Sequence, residues 1–114
     1  MSDWNDYRVN TRQRIVEYGQ HAPDTLRGAG TLIAAGNKTG HLDARTRELI
    51  ALACAVTTRC DGCIAIHTEA AVKAGISDEE IAEALGVAVS LNAGAAIVYS
   101  GHVTEALKQA REQQ

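Results

Sequence analysis

The apolar residues of this chain recur mainly at the three- and four-residue intervals that are typical of amphipathic helices. The first pattern covers residues 3–20, and it places Trp4, Tyr7, Thr11, Ile15 and Tyr18 at helical spacing. A second helix is predicted to begin at Pro23, because proline suits a first helical turn. It should end in the loop-like segment 36–40, which reads Gly-Asn-Lys-Thr-Gly.

The middle of the chain predicts two further helices joined by a short break. Asp43 is a suitable N-cap for the first of them, and residues 49–56 are apolar on every face. A buried strand could carry the same run, but the dominance of Ala and Leu favours a helix. After a break at residues 57–59, the next helix should run over 61–74 and stop at Gly75.

The last third of the chain opens on the capping box Ser77-Asp-Glu-Glu80, which predicts a fifth helix. Asn92-Ala93-Gly94 should interrupt that helix, and a sixth should run from about Ala95 towards Lys108, followed by a fraying tail. The sequence contains no convincing strand pair or βαβ unit. The predicted fold is therefore all-α, a single domain over residues 1–114 with about six helices.

Composition adds an expectation of self-association. The chain has 114 residues, 46% of them apolar, with no Phe, and Ala is its commonest residue. Small side chains bury little area within one subunit, so an oligomer should supply the remainder. The net charge of −3 gives no reason to expect nucleic acid or an anionic membrane as a partner. The loose basic group Arg8, Arg12 and Arg14 is expected on a solvated helix face.

The location predicted from these features is the cytoplasm. The N-terminal residues are acidic and polar, without the cationic and apolar segments of a signal peptide. No uninterrupted apolar run is long enough to span a bilayer, so no membrane partner is expected. A reducing compartment makes a structural disulfide set unlikely for three cysteines, so catalytic and metal-binding uses gain weight.

Cys60, Cys63 and His67 form the strongest chemical pattern. At about 100° per helical residue, these three positions fall within roughly 60° of one helix face. Two thiols three residues apart can close a disulfide, and a helix N-terminus stabilises thiolate. His67 lies one turn beyond Cys63, where an imidazole can take the proton of a thiol.

Glu48 is expected to complete this group. If the third and fourth helices form an antiparallel hairpin that turns near Arg59, Glu48 lies about 16 Å back from the turn and His67 about 12 Å beyond it. Their nearly equal heights predict that a carboxylate orients the base, the base activates one thiol, and the second thiol resolves the product.

Other interpretations of these residues stay open at this stage. Zinc could be held by the two cysteines and His67, with Glu48, His41 or His102 as a fourth ligand, but no second ligand pair is present and no metal is expected. Glu48 alone could be a solvated carboxylate of a first helical turn. Cys54 is predicted to be an inert core thiol, and His102 is assigned a structural role.

Glu48, Cys60-Asp-Gly-Cys63 and His67 together resemble the Glu…Cys-x-x-Cys-x-x-x-His signature of the alkylhydroperoxidase D-like proteins in the carboxymuconolactone decarboxylase superfamily. The similarity extends from Leu42 through Ala71 and continues over Gly75–Ile81 and Glu83–Leu85. It covers well over half of the chain. Gly62 is a departure, because some relatives carry a polar residue just before the second cysteine.

The resemblance implies an all-helical oligomer with peroxidase activity that depends on a dithiol donor, such as a lipoyl group or a thioredoxin-like protein, and no bound cofactor. It assigns the proton relay to Glu48 and His67, the reaction with peroxide to Cys63 and the resolving step to Cys60. The residues themselves leave that last choice open, because the helix dipole favours Cys60 and the neighbouring His67 favours Cys63. The single signature in a short chain favours a hexamer over a trimer.

Two other functions compete with the peroxidase. A lyase of the carboxymuconolactone decarboxylase type would move protons and would not need a cysteine pair. A non-enzymatic redox or zinc-linked switch in a stress response would need the pair but no turnover. Peroxide consumption and metal content separate the three.

Overall fold

A computed structural model describes residues 3–113 and folds them into helices joined by short turns. Within those residues there are five helices and no strand. They are α1 (Trp4–His21), α2 (Pro23–Thr39), α3 (Ala44–Thr58), α4 (Asp61–Lys73) and α5 (Asp78–Glu112). The predicted all-α class is confirmed.

The helix boundaries follow local signals in the sequence. The Asp43 side chain caps α3 by accepting from the Thr46 amide at 2.7 Å. Ser77 and Glu80 form a reciprocal capping box at the start of α5. Gly75, at φ +73°, takes the left-handed conformation that ends the segment after α4.

The helix count is five rather than about six, because α5 continues through Asn92-Ala93-Gly94 to Glu112. The interruption predicted at that tripeptide is wrong. Asn92 donates from Nδ2 to the carbonyl oxygen of Ala88, at 2.7 Å, and to the Thr57 hydroxyl, at 3.0 Å, so its amide holds α5 onto α3 instead of turning the chain. Glycine costs a helix only about 1 kcal/mol, too little to break one without proline. α3 runs through Thr58, so the first two residues of the predicted break at 57–59 are helical.

The core lies where α3 packs between α4 and α5. Leu52 of α3, Ala71 of α4 and Ile76 of the following turn are buried at its centre. Leu49, Ala74, Ile81 and Leu85 pack around them. This core is small, because several of its members are alanines.

α1 is fastened to α4 by polar contacts rather than by a second apolar core. Arg8 is only 9% exposed; its Nε donates to the backbone carbonyl of Ala65 and its Nη2 to the Thr68 hydroxyl. Arg12 pairs with Glu69 at 2.7 Å. The expectation that this basic group would lie on a solvated face is therefore wrong for Arg8.

α2 and the distal half of α5 remain almost unpacked. α2 contacts only α1, and α5 contacts only α3, among the residues that the structure describes. Their large apolar side chains are exposed, including Leu32, Ile33, Leu91, Ile97, Val98, Tyr99, Val103 and Leu107. The radius of gyration, 19.3 Å, is well above the roughly 13 Å of a compact chain of this length.

α5 is also long and apolar enough to span a membrane. Its most apolar 18-residue window has a mean hydropathy of 1.7, and 6% of that window is buried. The helix reaches this mean hydropathy without an uninterrupted apolar run, because the Gly, Ser and Asn residues between its apolar residues are uncharged. A helix that packs on other protein chains has the same two properties.

Candidate active site

The turn between α3 and α4 sets the geometry of the site. Arg59 ends α3 in the left-handed conformation, at φ 56° and ψ 47°, and Cys60 follows in extended backbone as the N-cap of α4. The two helices consequently run antiparallel, which is the condition under which Glu48 was expected to lie near His67. The cysteine motif lies at the turn, and the residues deeper in each helix face one another.

Cys60 and Cys63 form a disulfide, with their Cα atoms 5.2 Å apart. The Cys60 sulfur also accepts a hydrogen bond from the Cys63 amide at 3.1 Å. That amide belongs to the first turn of α4, where unpaired N–H groups give the helix end a partial positive charge. Negative charge on the Cys60 sulfur would be stabilised at this position when the disulfide opens.

Glu48 of α3 and His67 of α4 are in direct contact, with Oε2 2.7 Å from the ring Nδ1. Their side chains are 23% and 35% exposed, respectively, so the pair is sheltered but open to small molecules. This contact agrees with the expectation that Glu48 and His67 lie at nearly equal distances from the turn of the hairpin. A carboxylate at Nδ1 favours the tautomer that carries its proton there, which leaves Nε2 free as a base.

His67 lies one helical turn beyond Cys63 on the same face of α4. The structure therefore places the four predicted residues along the α3–α4 hairpin, with the cysteine pair at the turn and the Glu48–His67 contact deeper in it. Their catalytic roles stay predictions, while their juxtaposition is a property of the fold. The arrangement has the parts of a nucleophile, base and orienting carboxylate, together with a second sulfur.

The third cysteine departs from its predicted role in the core. Cys54 is exposed, because it points away from the buried face of α3 that carries Leu52 and Ala55. It lines an apolar groove of about 290 Å³ between α3 and α5, together with Ile50, Ala53, Val87 and Leu91. Cys54 lies about 120° around α3 from Glu48, so it is separate from the site.

The residues considered as a fourth zinc ligand lie elsewhere. His102 projects from the exposed part of α5 and meets Tyr99 edge to face, with ring centroids 4.7 Å apart. His41 lies in the α2–α3 connection, beside Leu42 and Arg47. Over residues 3–113, no three His, Cys, Asp or Glu side chains converge as a metal site. The metal content stays a matter for measurement.

Sequence reasoning missed one neighbour of the cysteine motif, Thr11 of α1. Its methyl carbon would lie 3.4 Å from a Cβ placed on Gly62, so the missing side chain at Gly62 lets α1 approach the motif. The available signal was the spacing of Arg8, Thr11 and Arg12, which share one helix face at i, i+3 and i+4.

The chain is similar to several bacterial proteins. A protein of Haemophilus influenzae described as uncharacterized is 49% identical over 105 residues, which cover 92% of this chain and 93% of that protein. A second, described as uncharacterized protein 4 in the cox locus of Paracoccus denitrificans, is 40% identical over 61% of this chain and 63% of its own length.

Two solved structures have a fold similar to that of this chain. The crystal structure of an apo carboxymuconolactone decarboxylase family protein from Legionella pneumophila has a TM-score of 0.73 and 33% identity, covering 86% of this chain and 88% of that one. A protein from Methanobacterium thermoautotrophicum has a TM-score of 0.70 and 34% identity over 75% of this chain and 97% of its own.

The sequence profile of one family, the carboxymuconolactone decarboxylase family, matches residues 23–109. That match spans most of the chain, including α2 to α4, the site and nearly all of α5. The site carries the Glu…Cys-x-x-Cys…His residues of the alkylhydroperoxidase D-like branch. The protein belongs to the carboxymuconolactone decarboxylase family and is an alkylhydroperoxidase D-like member of it.

Proposed function

We propose that this protein is a dithiol-dependent hydroperoxide reductase. The observation that carries the proposal is the 2.7 Å contact between Glu48 and His67, one helical turn from a cysteine pair that closes a disulfide. A lyase would need a proton relay but no such pair. Family membership supports an enzyme with this type of site.

The reaction begins with the reduced pair. His67 accepts the proton of the Cys63 thiol while Glu48 stabilises the resulting imidazolium. The Cys63 thiolate attacks one peroxide oxygen, the O–O bond breaks, and the departing alkoxide or hydroxide takes up a proton. Cys63 is then a sulfenic acid.

The second sulfur closes the cycle. The Cys60 sulfur attacks the sulfenic sulfur of Cys63, forms the disulfide and releases water. The bonding of Cys60 at the start of α4 favours its thiolate in this step. An external dithiol, such as a lipoyl group or a thioredoxin-like protein, then reduces the disulfide through a mixed disulfide and leaves oxidised to its own disulfide. No bound cofactor takes part.

The proposed location is the cytoplasm, because the pair must be returned to the dithiol in every cycle. A reducing compartment keeps the donor reduced. The same requirement would not be met in an oxidising compartment without a dedicated reductant.

One anaerobic experiment tests the reaction. Adding one equivalent of peroxide to the reduced protein should consume two thiols, and peptide mapping should find the Cys60–Cys63 disulfide with Cys54 free. Cys60→Ser should stop at a sulfenic acid that dimedone traps on Cys63, whereas Cys63→Ser should react at the background rate. Cys54→Ser is the matched control and should behave as wild type.

Each alternative predicts a different outcome. A main disulfide through Cys54 would contradict the assignment of the pair. Tightly held zinc at one ion per chain would favour the switch, and turnover of a lactone acid by the Cys60→Ser/Cys63→Ser variant would favour the lyase.

The proposed assembly is a homo-oligomer, a hexamer in preference to a trimer. The exposed surface of the chain, 8702 Å², exceeds the about 6,000 Å² of a compact monomer of this mass. A standard interface buries only about 800 Å² on each partner, so an excess of this size supports contacts with more than one neighbour. The uncharged segment of α5 and the α3–α5 groove are the surfaces available for them.

A further inference from the structure

Gly62, which directly precedes Cys63, has no side chain, and a threonine from another helix packs there. A Cβ on Gly62 would stand 3.4 Å from Cγ2 of Thr11. Arg8 and Arg12, three residues before and one residue after Thr11, both bond to α4. These bonds fix the height of Thr11 against the cysteine motif.

The hydroxyl of Thr11 is buried without a hydrogen-bond partner, the single buried side-chain polar atom of residues 3–113 of which this is true. A threonine inside a helix ordinarily donates to the carbonyl four residues earlier. Five others in this chain do so, namely Thr31, Thr39, Thr57, Thr58 and Thr68. Thr11 does not use the equivalent carbonyl of Tyr7.

An unpaired buried hydroxyl costs free energy, and a native structure that contains one needs a reason for it. The cysteines flanking Gly62 suggest one, because the structure holds them as a disulfide. A disulfide sulfur is a weak acceptor that needs no donor. Reduction by two electrons and one proton from an external dithiol gives one thiol and one thiolate, and a thiolate does need donors.

We propose that the Thr11 hydroxyl serves the reduced state, in which it donates a hydrogen bond to a sulfur of the opened Cys60–Cys63 pair. Rotation about the Cα–Cβ bond of Thr11 exchanges the methyl that faces Gly62 with the hydroxyl. The hydroxyl keeps its proton throughout, so the bond stabilises thiolate without taking part in proton transfer. This inference rests on the redox pair of the proposed function, and Thr11 supplies from α1 the polar group that position 62 lacks.

The test is a redox titration of the purified full chain in glutathione buffers of defined composition, with the disulfide fraction measured by thiol alkylation. Thr11→Val keeps the shape and removes the hydroxyl. Hydrogen bonds to charged groups are among the stronger ones, so the variant should favour the disulfide by about tenfold, equivalent to a potential about 30 mV more negative. The pH midpoint of thiolate alkylation should rise by about one unit, the same tenfold.

Three comparisons make the result specific. Thr11→Ser retains the hydroxyl and should keep the wild-type potential. Thr58→Val, two residues before Cys60, removes a hydroxyl that already donates within its own helix and should leave the potential unchanged. The oxidised Thr11→Val protein should be at least as stable as wild type towards urea, because the deleted hydroxyl has no partner in that state.

Three outcomes would overturn the inference: a Thr11→Val equilibrium constant within twofold of the wild-type value, equal shifts in Thr11→Val and Thr58→Val, or a destabilised oxidised Thr11→Val protein. Failure of the proposed function has a different signature. Wild-type protein that titrates normally with glutathione but does not react with peroxide contradicts the peroxidase and leaves the role of Thr11 standing.

Discussion

The α3–α4 hairpin and the distal half of α5 contain similarly apolar residues, but only the hairpin is packed within one chain. Leu52 in α3 is 3% exposed, whereas Val98 in α5 is 77% exposed. All four predicted site residues lie on the two helices of the hairpin or at the turn between them. Among residues 3–113, α5 contacts only α3, and the large apolar side chains of its distal half, such as Ile97 and Tyr99, are exposed. One chain is therefore sufficient for the site, and insufficient for the long helix.

Charge explains how one sequence specifies both regions. The start of α3 carries polar side chains with defined partners, since Glu48 contacts His67 of α4 and Arg45 contacts Glu80 of α5. Between Glu83 and Glu105, in contrast, α5 has no charged side chain. Such a surface is unfavourable in water and favourable against another apolar surface. The comparison predicts different consequences for similar substitutions in the two regions.

The largest expected effect comes from a charge in distal α5. Val98→Glu should dissociate the assembly, because an unpaired carboxylate within an apolar interface is costly. Light scattering at micromolar concentration should show a smaller species. Val72→Glu is the matched control, since Val72 is 75% exposed but lies in α4 between charged residues. A wild-type monomer, or recruitment of the wild type to lipid vesicles, would contradict self-association as the role of α5.

A core truncation in the hairpin should have the next largest effect. Leu52→Ala removes a side chain at the centre of the α3–α4–α5 core and should cost about 2–5 kcal/mol in the free energy of unfolding. The cost should be the same at every protein concentration in urea titrations. Leu32→Ala, at a residue 77% exposed, should matter only through association and hence vary with concentration. Equal and concentration-independent costs would contradict the division into packed and unpacked regions.

The smallest effect is expected where α1 meets α4. The Arg12 hydrogen bond is the largest cause that lowers the pKa of Glu69 below its ordinary value. A carboxylate with a lowered pKa adds stability above its unfolded-state pKa and loses it as the pH falls through the folded-state value. Glu69→Gln should therefore melt slightly below wild type at neutral pH, and the difference should vanish at acid pH. A difference that grew on acidification would have the wrong sign.

The site was predictable from sequence because its signals are local and directional. Cys60, Cys63 and His67 share a helix face by spacing alone, and the heights of Glu48 and His67 follow from helix rise and one turn. The position of Thr11 was not predictable, because it depends on how α1 crosses α4. That crossing is set by Arg8, whose burial cannot be read from a basic residue in a polar helix.

The errors of prediction have physical causes of the same kind. Asn92-Ala93-Gly94 contains residues that weaken a helix. The Asn92 amide donates to acceptors on α5 and α3, and these contacts outweigh the low helix propensity of the tripeptide. Cys54 lies within the apolar run of residues 49–56, which was predicted to be buried on all sides. In the single chain the face of α3 that carries Leu52 and Ala55 is buried, whereas Cys54 lines an exposed groove.

The central claim is that Glu48 and His67 act as one unit on a thiol of the pair. The most direct measurement compares the rates at which Glu48→Gln, His67→Gln and the double variant react with peroxide at neutral pH. Each single variant should lose about 10²–10⁴-fold, and the double variant should be little slower than the slower single one, because members of such a unit are non-additive. Higher pH should restore all three as the thiol ionises unaided. A wild-type rate in Glu48→Gln, or fully additive losses in the double variant, would contradict the relay.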